Sequence, residues 1–140
     1  MDRLTVAQRS RNMARVRSRN SAPELRVRSL LHRSGFRFRL HVRDLPGSPD
    51  IVLPRHRTVV FVHGCFWHRH AGCPYAYVPR SRTGFWQRKF ADNVTRDARD
   101  AERLESMGWR VLVVWECDLR DERELASRLA ARITGGSAAQ

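Results

Sequence analysis

Lysine is almost missing from this chain. Lys89 stands alone against 26 arginines, and with only 14 acidic side chains the formal net charge is +13 over 140 residues. Long apolar runs are missing too. The cleanest, such as Val111–Trp115, reach about five residues, so neither a membrane span nor a secretory leader is expected. Three cysteines, Cys65, Cys73 and Cys117, are an odd number and do not suggest a disulfide framework; metal ligation or buried thiols remain. There are no internal repeats. The apolar fraction of 41% excludes wholesale disorder and fits one compact domain.

What is abundant is positive charge, unevenly spread. Residues 1–43 hold 12 basic and 2 acidic side chains, whereas residues 44–140 hold 15 and 12. A basic amino-terminal third points to a polyanionic partner, with nucleic acid first. A GC-rich genome would account for arginine over lysine, but not for the asymmetry. Residues 1–20 offer little to bury and read as a basic DNA-binding arm, residues 21–134 as the folded domain, and 135–140 as a tail.

Ser21 and Glu24 are spaced as a capping box, Pro23 suits a first turn, and Gly35 stops the helix, whose apolar side is Leu25, Leu30 and Leu31. The alternation over Phe36–Val42 predicts a half-buried strand. Asp50–Leu53 and Thr58–His63, separated by Pro54–Arg57, have hairpin spacing. Gly64–Arg82 reads as a functional or metal-held loop. A long helix over Phe85–Met107 presents Trp86, Phe90, Val94, Ala101 and Leu104, a buried strand covers Trp109–Trp115, and an amphipathic helix covers Asp121–Ile133. The order α-β-β-β-α-β-α describes an α/β fold, a mixed central sheet flanked by helices. A crossover through the long helix makes the strands at 58–63 and 109–115 parallel. Cys65 and Cys117 then follow two residues after the ends of neighbouring strands.

Cys65-x4-His70-x2-Cys73 with Cys117 makes a Cys3His set suited to a closed, structural Zn2+ site, because thiolates favour zinc over magnesium or calcium. The spacing alone does not choose between His68 and His70 as the fourth ligand. Asp50 opens a strand, the place where Mg2+-dependent nucleases commonly carry an aspartate, since the hard cation prefers carboxylate oxygen. Taken singly, Asp50 reads as well as a turn cap. His68 in the loop and Asp97 on the long helix could pair as a general base and its orienting carboxylate. Aromatic residues at helical spacing ordinarily belong to a core.

Together these residues resemble the very short patch repair (Vsr) endonucleases, mismatch-nicking enzymes of restriction-endonuclease-like fold. The matching segments run in order: Arg9-Ser10-Arg11-Asn12-Met13, Pro23-Glu24-Leu25, Leu45-Pro46-Gly47-Ser48-Pro49-Asp50, then His63-Gly64-Cys65-Phe66-Trp67-His68-Arg69-His70. Phe85-Trp86, Asn93, Arg96-Asp97, Gly108-Trp109 and Trp115-Glu116-Cys117 follow. The resemblance implies hydrolysis of the phosphodiester 5′ to the thymine of a T:G mismatch, the product of 5-methylcytosine deamination. It implies Mg2+ on Asp50 and the backbone carbonyl of Val62, with Glu24 supporting the metal's waters. His68 becomes the base, oriented by Asp97, while His63 stabilises charge at the phosphate. Cys65, His70, Cys73 and Cys117 become the zinc ligands of a stapled loop. Phe66, Trp67 and Trp86 become a wedge that unstacks weakly paired DNA.

Lys89 and Asn93, one turn apart, are expected at base edges or phosphates, and Arg9, Arg11, Met13 and Arg15 along the minor groove. The same resemblance implies action on double-stranded DNA in a bacterial cytoplasm, at the nucleoid, alongside a MutL-type repair protein and a cytosine-5 methyltransferase, and nicking of one strand fits a monomer. A zinc-stabilised DNA-binding module without nuclease activity is the alternative.

Overall fold

A computed structural model of the chain describes residues 21–135; the arm residues Arg9, Arg11, Met13 and Arg15, and positions 136–140, lie outside the described residues. The first described helix, α1 (Ala22–Arg33), begins where Ser21 accepts a hydrogen bond from the Glu24 amide, with Pro23 in the first turn. Its buried face is Val27, Leu30 and Leu31, while Leu25 is exposed, contrary to expectation. Val27 takes the inward place because residues 27, 30 and 31 share one face of a helix.

The strand expected over Phe36–Val42 shrinks to β1 (Arg39–Leu40). It ends because His41 turns back with φ 51° and donates its amide to the Asp50 carbonyl at 3.2 Å. Strands β2 (Ile51–Leu53) and β3 (Thr58–His63) form the anticipated hairpin, pairing Leu53 with Thr58, across a 3-10 turn at Pro54–His56. The long helix α2 (Thr83–Ser106) leads into β4 (Arg110–Trp115), and a 3-10 turn at Glu116–Arg120 precedes α3 (Glu122–Thr134), capped by Asp121. The sheet runs β1-β2-β3-β4, antiparallel except for the parallel β3–β4 pair, which aligns His63 with Trp115. The element order is the one read from the sequence.

Alternation along the strands sorts the core into two layers. Ile51, Leu53, Val60, Leu112 and Val114 face α1 and α3, meeting Val27, Leu30, Leu31, Leu125, Leu129 and Ile133. Val52 and Val59 face the other way, toward Leu104 of α2, with Phe61, Trp109 and Val111 packed beside them. Only the carboxyl-terminal part of α2 joins that layer. Val94, expected in its apolar face, is 45% exposed because, with Asn93, Asp97 and Ala101, it borders an open cleft rather than packed sheet. Gly47, with φ 76°, would bring a Cβ within 3.0 Å of Asp100 on α2, so a glycine lets the Leu45–Pro49 turn close against that helix.

No helix among the described residues is long and apolar enough to cross a membrane. Leu104 is the fully buried residue joining α2 to the sheet. Leu104→Ala should lower unfolding stability by ~2–5 kcal/mol, measured by urea denaturation.

Candidate active site and metal centre

The cleft between α2 and the β3–β4 end of the sheet measures about 670 Å3. Asp50, Val62, His63 and His68 line it on one side, and Asn93, Arg96 and Asp97 of α2 on the other. The hairpin register carries Asp50 to the point where its Oδ2 accepts the Val62 amide at 2.7 Å. Burial pushes the Asp50 carboxyl up to about 6, against the lowering effect of that hydrogen bond, and the neighbouring Glu24 charge adds to the rise. A carboxylate stranded this way is stabilised by a cation, and the available oxygen donors suit a hard one.

Glu24 is 2% exposed, with its Oε2 2.8 Å from His41 Nε2 and bonded to Arg28. The ligand atoms of Glu24, His41 and Asp50 all lie within 4.8 Å of one another. Sequence reasoning missed His41 and Arg28. The available signal was a histidine ending the alternating stretch after α1 and an arginine one turn beyond Glu24.

His68 Nδ1 stands 2.5 Å from Asp97 Oδ2, so the pair anticipated from loop and helix is formed. A carboxylate on Nδ1 fixes the ring's tautomer and leaves Nε2 as the acceptor, the arrangement of an oriented base. His63 stacks on His68 with centroids 3.8 Å apart and planes 5° from parallel. Burial, reinforced by His68, lowers the His63 ring to about 4, although Asp97 pulls the other way. Its Nδ1 is buried without a hydrogen-bond partner. At neutral pH this ring is uncharged and has one N–H to donate, without the full charge that a lysine would bring.

Beyond the strand ends, Cys65, His70, Cys73 and Cys117 converge with all four ligand atoms within 4.8 Å. His70 Nδ1 is 3.3 Å from Cys117 Sγ and 3.7 Å from Cys65 Sγ. Tetrahedral zinc, with Zn–S of about 2.3 Å and Zn–N of about 2.0 Å, needs ligand atoms roughly 3.5–3.8 Å apart. The donor set and its spacing therefore fit such an ion. It is His70 that faces the sulfurs, while His68 is held by Asp97; the choice left open by spacing follows from where the strands deliver each ring. Burial raises the Cys65 thiol to about 12, so a bound cation is what would make this buried sulfur a thiolate.

The aromatic residues interlock. Phe66 lies 5.1 Å from Trp67, 5.6 Å from Trp86 and 5.1 Å from Phe90, mostly edge to face. Trp67 is buried, whereas Phe66 and Trp86 are half-buried and Phe85 is 37% exposed. Arg69, another residue the sequence did not single out, donates to the carbonyls of Phe66 and Tyr77 at 3.0 Å and of Ala76 at 2.7 Å. Its guanidinium also sits 3.9 Å over Phe90, tying the loop to α2. Lys89 is half-buried nearby on that helix.

Asn93 departs from expectation. Instead of facing DNA beside Lys89 it is 4% exposed and bonds within the protein, because its helix face meets the loop.

A mixed α/β protein whose cleft brings carboxyls together with a histidine bonded to Asp97, beside a Cys3His cluster able to hold a metal ion, has side chains that hydrolysis of an anionic ester would use. The chain matches the family model described as DNA mismatch endonuclease Vsr over residues 1–73. It is 53% identical over 128 residues to the type II nicking enzyme V.XorIIP of Xanthomonas oryzae, covering 91% of this chain and 93% of that protein. It is 50% identical over 119 residues to the DNA mismatch endonuclease Vsr of Escherichia coli (85% and 76%). To the nicking enzyme V.NmeAIP of Neisseria meningitidis it is 42% identical over 135 residues (94% and 96%). The chain belongs to the Vsr family of DNA mismatch endonucleases.

Trp67 is a core residue of the loop as well as a candidate DNA contact. Trp67→Ala should therefore cost ~3–5 kcal/mol of stability in thermal or urea unfolding, while Phe85→Ala should cost far less. Equal losses would place the two rings in equivalent surroundings.

Proposed function

We propose that this protein is a Mg2+-dependent endonuclease that nicks double-stranded DNA 5′ to the thymine of a T:G mismatch and so starts very short patch repair. The observation that carries the reading is that Asp50 and the His68–Asp97 pair border one cleft. In this reading Asp50 and the Val62 carbonyl hold the cation and Glu24 orients its waters. The ion, when bound, supplies positive charge at the phosphate and lowers the pKa of water.

The chain's own groups do the rest. Asp97 keeps the His68 proton on Nδ1, so Nε2 can take a proton from the attacking water. His63, neutral and close against His68, donates an N–H toward the phosphate oxygens. Base catalysis of this kind typically contributes about 10²- to 10⁴-fold.

Phe66, Trp67 and Trp86 form the aromatic wedge that tests the double helix for a weak step, the buried Trp67 backing the two half-buried rings. Unstacking costs a few kcal/mol and least where pairing is faulty, and stacking on the rings offsets it. Lys89 adds a cation beside that cluster. The arm at residues 1–20, with Arg9, Arg11, Met13 and Arg15, tracks the minor groove of the duplex, and the domain at 21–134 carries the chemistry. Cys65, His70, Cys73 and Cys117 hold a structural Zn2+ in a restriction-endonuclease-like fold. A single-strand nick requires one site, so the protein acts as a monomer in the cytoplasm at the nucleoid. A MutL-type repair protein and a cytosine-5 methyltransferase are its functional neighbours.

The direct test is incubation of the protein with Mg2+ and a labelled T:G duplex. One nick 5′ to the mismatched thymine is expected; no cut in any mismatch context would favour a DNA-binding module instead. His68→Ala should lose about 10²- to 10⁴-fold in cleavage and keep DNA affinity, and a parallel loss of binding would make His68 structural. Cys117→Ser should release the zinc and lower the melting temperature. Unchanged zinc content by elemental analysis would contradict the ligand set.

A further inference from the structure

The loop and α2 meet at two consecutive loop residues. Asn93 Nδ2 donates to the Trp67 carbonyl at 3.1 Å, and Asp97, one helical turn on, holds the His68 ring. The peptide joining Trp67 to His68 is held at its other side as well, since the His68 amide donates to the Gly64 carbonyl at 3.1 Å. Arg96 donates to Asn93 Oδ1 at 2.9 Å. A guanidinium has donors only, so it fixes which end of the amide is oxygen and turns Nδ2 toward Trp67. Asn93 is buried, and both ends of its amide have partners within the protein.

We infer that Asn93 is a positioning residue: by pinning the Trp67–His68 peptide to α2 it sets the His68 ring against Asp97. The inference rests on the proposed role of His68 as base and deepens it. Trp67 and His68 are adjacent in the chain, so a shift of the Trp67 backbone when its cluster engages a base step moves the imidazole too. The bond to Asn93 resists that shift, and helix residues 93 and 97 hold one rigid register because they lie one turn apart. An ångström-scale misplacement of a reacting group costs about 10²-fold in rate. The tether therefore keeps the base on Asp97 while the aromatic residues beside it meet the duplex.

Asn93→Asp keeps the side chain's shape and removes the donor to Trp67. Three readings are taken with Mg2+ and a T:G duplex: the single-turnover nicking rate, the DNA affinity, and the preference for T:G over T:A. In the free protein, NMR follows the His68 imidazole N–H bonded to Asp97. The expected result is a rate lower by roughly 10²-fold, unchanged affinity and preference, and loss or displacement of the His68 N–H signal. Asn93→Ala gives the same readings without a buried carboxylate, should the aspartate variant fail to fold.

An unperturbed His68 signal in the folded variant overturns the tether, and so does a rate that falls only as far as affinity or mismatch preference falls. The latter is what a base-contacting Asn93 would produce. If the unaltered protein leaves T:G duplexes uncut, the proposed reaction fails, while the free-protein signal still judges the tether.

Discussion

The parallel pairing of β3 with β4 is the constraint from which the rest of the site follows. It aligns His63 with Trp115, so the chain leaves two neighbouring strands at the same edge and carries Cys65 and Cys117 to one point. The same alignment stacks the His70 ring on Trp115 at 4.2 Å. That brings the loop back over the strand ends and places His68 at the mouth of the cleft. A register slip of one residue would reverse every side chain of β3 and send His63 to the face occupied by α1 and α3. The Cys3His cluster and the cleft are thus two consequences of one ladder of backbone hydrogen bonds.

Around that ladder, α2 serves two purposes along its length. Its carboxyl-terminal part closes the core through Leu104, while residues 93–101 border the cleft. A helix committed to packing along its whole face would leave no cleft. The electrostatics are divided similarly. A chain of net charge +13 attracts DNA from a distance, yet two carboxyls stand together at the cleft, the buried Glu24, which pairs with Arg28 and His41, and the half-buried Asp50. Attraction for the polyanion is spread over the molecule, and negative charge is concentrated where a cation is wanted.

Much of this could be read from residue order. The four-residue gap at Pro54–Arg57 predicted the hairpin that pairs Leu53 with Thr58 in the structure, and the crossover argument predicted the parallel pair that unites Cys65 with Cys117. Ser21, Pro23 and Gly35 marked α1 because capping and left-handed turns are local chemistry. What escaped was non-local. The alternation at Phe36–Val42 could not reveal that His41 would turn back toward Asp50, so the strand came out long and His41 went unnoticed. Periodicity marked Val94 as core, although the cleft lies under it. Asn93, polar on a helix, looked like a surface contact until the loop carbonyl above it supplied a buried partner. The choice between His68 and His70 depends on where two rings point, which spacing does not encode. The arm residues Arg9, Arg11, Met13 and Arg15 lie outside the described residues.

The central claim is that a cation held by Asp50 and the His68 base share one cleft. Titrating the protein with Mn2+, a paramagnetic substitute for Mg2+, and following the histidine ring protons by NMR tests it most directly. The account predicts broadening of His63 and His68 together with His41, which stands beside Asp50, with His32 and His56, which do not line the cleft, little affected, and loss of the effect in Asp50→Asn. Broadening that spares His68, or that persists without the Asp50 carboxylate, would contradict it.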